Sequence, residues 1–573
     1  MLVAPLAASA AAPAAEEKAP AETETGIPVT DQLVIRKCGT CHLPDEKHNL
    51  SRISWIRTTP EGWSQAIKRM VRQNGLQITP EEVRSVIKYL AGHHGLAPEE
   101  AKPVMYIAER RIQDETNIPN DAVRGACTTC HAFGQPLSWR RSKQEWQHLQ
   151  DLHVALYAQA DVWYRRPAPA AEGEGAGMGA AAAPGAPPAK PRTQGQVALE
   201  YIQKAAPLST PEWAAWQSRM QTPHLAGRWL VSAHALGQGN FVGEMVVEAG
   251  PAVDEFKTSV TLRSLKDGST LKRTGAGLVY AGYSWRGRSS GQVPQGMHPD
   301  NRPDDAREVM WFSPDQSSAE GRWFWGDYQE FGFDVKLVRA SGAPAMIAVE
   351  PAGLKAGEKS ARLRIIGDNL PKAAAAADIH LGAGLTVSRI VSQSPTELVA
   401  EVTVAPDAAS GMRDVQILGS ALQNAFAVYH RVDYLKVVPD SAIARLGSTS
   451  HPKGYQQFEA VGFENGLDGK PGTADDLRVG SIDVKWSVEE FMTTFTDDDK
   501  KFVGQLSPTA LFTPASDGPN PARRFGRNNY GDVWVTATAK SEKDRFGKPL
   551  TGRSYLVVAV PMYLRWDQPE ISQ

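Results

Sequence analysis

Two short stretches carry residues able to do chemistry. Cys38, Cys41 and His42 stand as C-x-x-C-H in KCGTCH, and Cys127, Cys130 and His131 repeat the pattern in ACTTCH. In this spacing the two thiols add to the vinyl groups of a haem, and the adjacent imidazole ligates its iron. A lone C-x-x-C also suits a disulfide or half a zinc site, but two copies, each followed at once by His, point to covalent haem attachment. The chain has 4 cysteines, so none remains for a disulfide, a catalytic thiol or a thiolate metal site.

Each iron needs a second axial ligand, and the two halves of the pattern can be compared with each other. In PEGWSQAIKRM, Trp63 precedes Met70 by seven residues; in KQEWQHLQDLH, Trp146 precedes His153 by seven. That is two helical turns, so in both segments Trp and ligand share a face, the Trp packing and the Met or His turned to iron. The expected pairs are His42/Met70 and His131/His153. Met105 competes for the first haem and His148 for the second. An amphipathic helix ordinarily buries Met in its core, and only the duplicated offset argues otherwise. Thioether sulfur favours ferrous iron and a second imidazole ferric iron, so the bis-His haem is the expected low-potential entry point and the His/Met haem the exit.

Other candidates are weaker. Asp468, Asp475 and Asp476 in GLDGKPGTADDL could offer oxygens to Ca²⁺, but the full EF-hand pattern is missing and a hairpin loop explains the composition. GEGAGMG neither follows a strand nor opens a helix, so it is no phosphate loop. His93 and His94 end a helix, where a cationic or capping His is common. His224, His234, His298, His380, His430 and His451 show no metal-ligand spacing and read as structural. No Ser-His-Asp or paired-carboxylate set is present, and haems ligated on both faces leave no substrate site, so no catalytic residue is assigned to this chain.

The elements that must position these ligands are short helices. Thr59 and Pro60 open one that Gly75 closes, with Trp63, Ile67, Met70 and Val71 on one face. Thr79 and Glu82 form a capping box for the next, which Gly95 ends, and Thr210 and Pro211 open another. Residues 167–195, rich in Ala, Gly and Pro, read as a flexible surface insert, because they bury too little apolar surface to offset ordering entropy. Past about residue 226 the hydrophobic period changes to two, with Gly, Asp and Asn turns. The expected architecture is multidomain α and β. An N-terminal all-α two-haem cytochrome c domain (28–225) precedes three antiparallel all-β modules: a barrel (226–342), an immunoglobulin-like sandwich (343–430) and a C-terminal sandwich (431–573). A chain of 573 residues is long enough for roughly three to five cores.

Residues 1–27 read as a signal remnant or disordered arm, with an A-x-A site at Ala8-Ser9-Ala10 but no basic start. Export to the periplasm follows from the signal reading. No apolar run approaches the roughly 18–20 residues of a membrane span, and a formal net charge of −2 gives no footprint for nucleic acid.

Taken together, CGTCH, EGWSQAIKRM, GLQITPEEVRSVIKYLAGHHGLAPEE, CTTCH, EWQHLQDLH and GRWLVSAHALGQGNFVGEM resemble the alpha subunit of bacterial quinohemoprotein amine dehydrogenase, along nearly the whole chain. The Ala/Gly/Pro insert departs from that pattern. The resemblance implies a periplasmic enzyme of three different subunits that oxidises primary amines to aldehydes and ammonia. It implies two covalently bound haem c groups here, a cysteine tryptophylquinone in a small gamma subunit, and a β-propeller beta subunit. Electrons would leave to a blue copper protein or a soluble cytochrome c. The rival readings are a non-catalytic two-haem carrier docked to another dehydrogenase, and a two-haem peroxidase in which one iron loses its distal ligand.

Overall fold

The structure, a computed structural model, describes residues 23–104, 118–169, 191–294 and 304–561. Met105, His298, the Ala8-Ser9-Ala10 site and most of the 167–195 insert lie outside them.

The N-terminal region is built twice from the same parts. In the first half, α1 (Gln32–Cys38) ends in the haem motif, and β1 (Ile56–Thr58) leads through the N-cap Thr59 into α2 (Pro60–Asn74). Next come α3 (Pro80–His93) and the single turn α4 (Pro98–Ala101). In the second half, α5 (Asp121–Cys127) ends in the other motif. After the short α6 (Gly134–Leu137), β2 (Trp139–Arg141) leads through the N-cap Ser142 into α7 (Lys143–Leu156). The half is completed by α8 (Ala158–Arg165), α9 (Gln194–Ala205) and α10 (Pro211–Arg219).

The caps behave as their residue types dictate. Thr59 Oγ1 accepts from Gly62 N, Gly75 ends α2 at φ +70°, and the Thr79/Glu82 capping box is formed. Two expectations change: His94, not Gly95, caps α3, and Val71 is exposed rather than packed.

The region is not all helical. β1 and β2 pair antiparallel, with Arg57 opposite Arg140, and this ladder joins the two halves. Both guanidiniums converge on the buried Glu100, Arg57 with two hydrogen bonds of 2.8 and 3.0 Å and Arg140 with one of 3.2 Å. Thr210 and the Ala97 N–H also donate to that carboxylate. Burial alone would raise the Glu100 carboxyl, but the hydrogen bonds and charges of Arg57 and Arg140 hold it below the usual range.

The next module is a closed eight-stranded up-and-down barrel. Its strands are β3 (Gly227–Ala235), β4 (Gly239–Ala249), β5 (Glu255–Ser264), β6 (Thr270–Tyr280), β7 (Ser284–Gly291), β8 (Asp304–Phe312), β9 (Ser318–Trp325) and β10 (Phe331–Arg339). Closure comes from β10 pairing with β3, Asp334 opposite His234. The interior is packed with Trp229, Trp285, Trp323, Trp325, Phe312 and Phe333, so it is a core and not a channel.

Two more β modules follow, and in each a short edge strand departs from the antiparallel expectation. Residues 345–429 form two four-stranded sheets around one core, with Gly353–Lys355 running parallel to Ser420–Tyr429. Residues 434–559 form one four-stranded and two three-stranded sheets around another core, with Ser441–Arg445 parallel to Pro549–Ala559. In both, a short strand returns along the last long strand and covers its open edge.

The haem-bearing region is fastened to the barrel by buried polar contacts. Arg286 on β7 grips Glu61 in the first turn of α2, Lys88 on α3 reaches Asp254 and Glu255, and the Tyr283 hydroxyl donates to Leu96 O. Among the described residues no helix is long and apolar enough to cross a membrane.

Candidate haem sites

Each cysteine pair straddles a helix C-terminus, which leaves the first thiol partly covered and the second exposed. Burial pushes the Cys38 thiol up to about 11 and the Cys127 thiol up to about 12. A thiolate is disfavoured at either position, which suits a neutral thioether better than a charged metal ligand. In the first motif the His42 N–H donates to Cys38 O at 2.8 Å, so the imidazole leaves the end of α1. The His42 Nδ1–H donates to Ser51 O at 2.8 Å, which leaves Nε2 as the ligating nitrogen. His131 places Nδ1 3.2 Å from Ala132 O in the same role.

The distal candidates occupy matched helices. Trp63 Nε1 donates to His94 O and Trp146 Nε1 to Ala206 O, both at 2.9 Å. The same two carbonyls accept the N–H of the residue before each helix cap, Thr58 at 3.0 Å and Arg141 at 3.3 Å. α2 and α7 therefore leave the ladder in the same way, and Met70 and His153 stand at the same register upon them. Met70 is half-buried, with Asn74 Nδ2 3.7 Å from its sulfur. His153 is half-buried, and its Nδ1–H donates to Leu149 O at 2.7 Å, leaving Nε2 for a metal.

The structure also brings His131 and His153 together. Burial lowers the basicity of His131, with the neighbouring His153 a lesser cause in the same direction.

The surroundings suit a porphyrin. Leu43, Val71, Leu152 and Val154, next in sequence to His42, Met70 and His153, are exposed apolar side chains of the kind a bound macrocycle would help to cover. Tyr164 and Tyr201 stand close enough to Cys127 for a thiolate there to raise both phenols, burial being the larger cause. α5 and α9 cross tightly: a Cβ on Gly125 would meet Gln194 Oε1 at 2.5 Å.

The remaining candidates have other occupations. Asp476 accepts from the Tyr434 hydroxyl and from the N–H groups of Gly466, Gly472 and Thr473, so its loop is a self-satisfied turn. His94 is wholly buried and edge-on to Trp63, and burial pushes it down to about 3; it is a neutral cap, not the cationic one its position suggests. His93 stacks on Tyr89, and His234 bonds Glu459 at 2.9 Å across the contact between the barrel and the C-terminal module. Among the described residues no group of three or more His, Cys, Asp or Glu is placed to hold a metal ion.

Sequence reasoning passed over the Arg57–Glu100–Arg140 clamp and the neighbouring Arg141. The only signal was a pair of consecutive arginines just before a helix cap, which reads as a solvated pair until the fold buries it.

The comparison with protein families decides the affiliation. Residues 29–165 match Quinohemoprotein amine dehydrogenase A, alpha subunit, haem binding. Residues 222–340, 343–430 and 435–571 match domains II, III and IV of the same alpha subunit. The chain belongs to the quinohemoprotein amine dehydrogenase alpha-subunit family. The helical segment that carries both motifs in this alpha-subunit chain is thus a haem-binding domain, and the β modules are the family's own. No curated protein matches the chain. Solved structures align with parts of the chain at low identity. A redesigned beta barrel bound to DFHBI aligns at 13% identity over 20% of this chain and 94% of its own, with TM-score 0.16. Human protocadherin-24 EC1-2 aligns at 12% identity over 39% of this chain and 99% of its own, with TM-score 0.15.

Proposed function

We propose that this alpha subunit is the electron-transferring, two-haem subunit of a periplasmic amine dehydrogenase. Cys38 and Cys41 hold one haem c and Cys127 and Cys130 the other, with axial pairs His42/Met70 and His131/His153. The observation that carries this reading is the matched exit of α2 and α7 from one β ladder, with Trp and ligand at the same register in both. Bound haem supplies one-electron carriage, and ligands on both faces keep substrate away from iron.

The substrate chemistry lies elsewhere in the complex. A primary amine and water give aldehyde and ammonia, releasing two electrons and two protons, at a cysteine tryptophylquinone in a small gamma subunit beside a β-propeller beta subunit. This chain passes the electrons to a blue copper protein or a soluble cytochrome c. The two-sheet module at 343–430 is the immunoglobulin-like one, and together with its β neighbours it serves as a frame for partners.

Adding a primary amine to the native complex without oxygen should reduce both haems, while the isolated chain stays oxidised. Denaturing mass spectrometry should find two haem masses on the chain. A chain without them defeats the proposal, and haems that amine never reduces in the complex would make the protein a carrier for a different dehydrogenase.

A further inference from the structure

The contact between the two halves holds a buried charge with too few partners. Arg141, the last residue of β2, is 5% exposed and lies between Trp139 and Trp146, its guanidinium carbon 4.7 and 5.5 Å from the two ring centroids. Its side chain makes no hydrogen bond to any described residue, and Nε is wholly enclosed. The nearest carboxylate oxygen, on Glu145, is 3.8 Å from a terminal nitrogen. That carboxylate is already taken: Arg52 Nε lies 2.7 and 2.8 Å from its two oxygens. Arg52 and Arg69 add further positive charge around Arg141. A buried guanidinium whose Nε lacks an acceptor and whose nearest carboxylate is held by another arginine is poorly compensated, and a planar carboxylate is the group its fork fits.

The neighbours locate the missing acceptor. Arg52 follows Ser51, whose carbonyl holds His42 Nδ1. Arg69 precedes Met70 on α2, and Ala66, one turn earlier, packs into the cluster of Trp139 and Trp146. Charges from the proximal and the distal segment of the first haem site therefore converge on Arg141, although Arg141 belongs to the second half by sequence.

We propose that Arg141, assisted by Arg52, binds a propionate carboxylate of the haem attached at Cys38 and Cys41. The inference rests on the two-haem reading above. The arginine acts on that haem's potential by holding the propionate ionised and setting a fixed positive charge beside it. It thereby ties the first haem to the strand that launches α7.

The test is potentiometric titration of both haems in the full chain, wild type against Arg141→Gln, Arg141→Lys and Arg52→Gln. Both haem masses should remain in every variant. Arg141→Gln should lower the reduction equilibrium constant of the Met-ligated haem by about tenfold, about 59 mV for a one-electron couple, with the bis-His haem unmoved. The potential of the Met-ligated haem should be flat between about pH 6 and 8 in the wild type and sloped in Arg141→Gln, where the unpaired propionate titrates. Arg141→Lys should restore part of the loss, and Arg52→Gln, at a half-exposed position, should give a smaller fall in the same haem. If Arg141→Gln does not fold, Arg52→Gln carries the comparison. Unchanged potentials and pH profiles, or a shift confined to the bis-His haem, would overturn the proposal. Wild-type chain without haem masses would instead overturn the two-haem reading on which it rests.

Discussion

At the residue scale the ligand assignment makes the sharpest claim. If Met70 gives its sulfur to the first haem, the oxidised protein shows the weak near-infrared band of Met-ligated ferric haem, and Met70→Ala abolishes it. Met105→Ala leaves the band in place. His153→Ala should convert the second haem to a high-spin or water-bound form while the first stays normal, and His148→Ala should be mild. Spectra of the four variants decide between the pairs, and loss of the band in Met105→Ala would refute the assignment. The two cysteine-histidine motifs were legible from spacing, because C-x-x-C-H is a local motif whose geometry one helix end supplies. The pairing of His131 with His153 was expected from the repeated offset alone, whereas the shared backbone carbonyls that launch α2 and α7 were not legible, since they depend on how the two halves pack.

At the element scale the insert is better bounded by the structure than by composition. Its ends are pinned: Ala168 N donates to Arg192 O and Gln194 N to Arg166 O, both at 2.8 Å, and Pro167 bridges Thr193. The residues between 168 and 192 can therefore be exchanged for a two-residue Asn-Gly turn, which closes an antiparallel pair of this kind. Haem content and melting temperature should be unchanged within error, since shortening a loop alters closure entropy only slowly. A deletion that also removes 166–168 and 192–194 should destabilise the haem-binding domain, because Thr193 is the N-cap of α9 and forms its capping box with Gln196. Equal melting temperatures for the two deletions would refute this boundary. Composition marked the low-complexity stretch but could not mark where pairing begins, as Pro and Ala at its ends look like those inside it.

At the scale of the whole molecule the modules are held together by ionic contacts at their seams, among them Arg286 with Glu61, Arg228 with Asp368 and His234 with Glu459. The last carries a pH dependence. Burial alone would lower His234, but the Glu459 hydrogen bond and charge raise it above its usual 6.5. Burial alone would raise Glu459, but His234, Ser481 and the Gly237 N–H bring it down to about 2 from 4.5. Stabilisation from the raised histidine is complete below pH 6.5 and is lost as pH rises through its folded value. Stabilisation from the depressed carboxyl is complete above pH 4.5 and is lost as pH falls toward 2. The pair thus contributes most between pH 4.5 and 6.5, by about 1.5–3 kcal/mol for a charge-assisted bond. Thermal unfolding of His234→Gln should differ most from wild type in that window and converge with it at alkaline pH. A difference independent of pH would mean that His234 acts only by packing.

What the sequence determined by itself was whatever depends on neighbours along the chain. The haem motifs, the caps at Thr59, Thr79 and Thr210, the repeated Trp-to-ligand offset and the change of period near residue 226 all follow from contacts within a few residues. The parallel edge strands of the last two modules needed the tertiary structure, because a three-residue strand such as Gly353–Lys355 has no period to read. So did the β1–β2 ladder inside a helical region, where three residues on each side find partners some eighty positions away. The burial of Arg57, Arg140 and Arg141 lies in the same class. A guanidinium is a surface group by residue type, and only packing the two halves against each other takes it out of water and makes its choice of carboxylate matter.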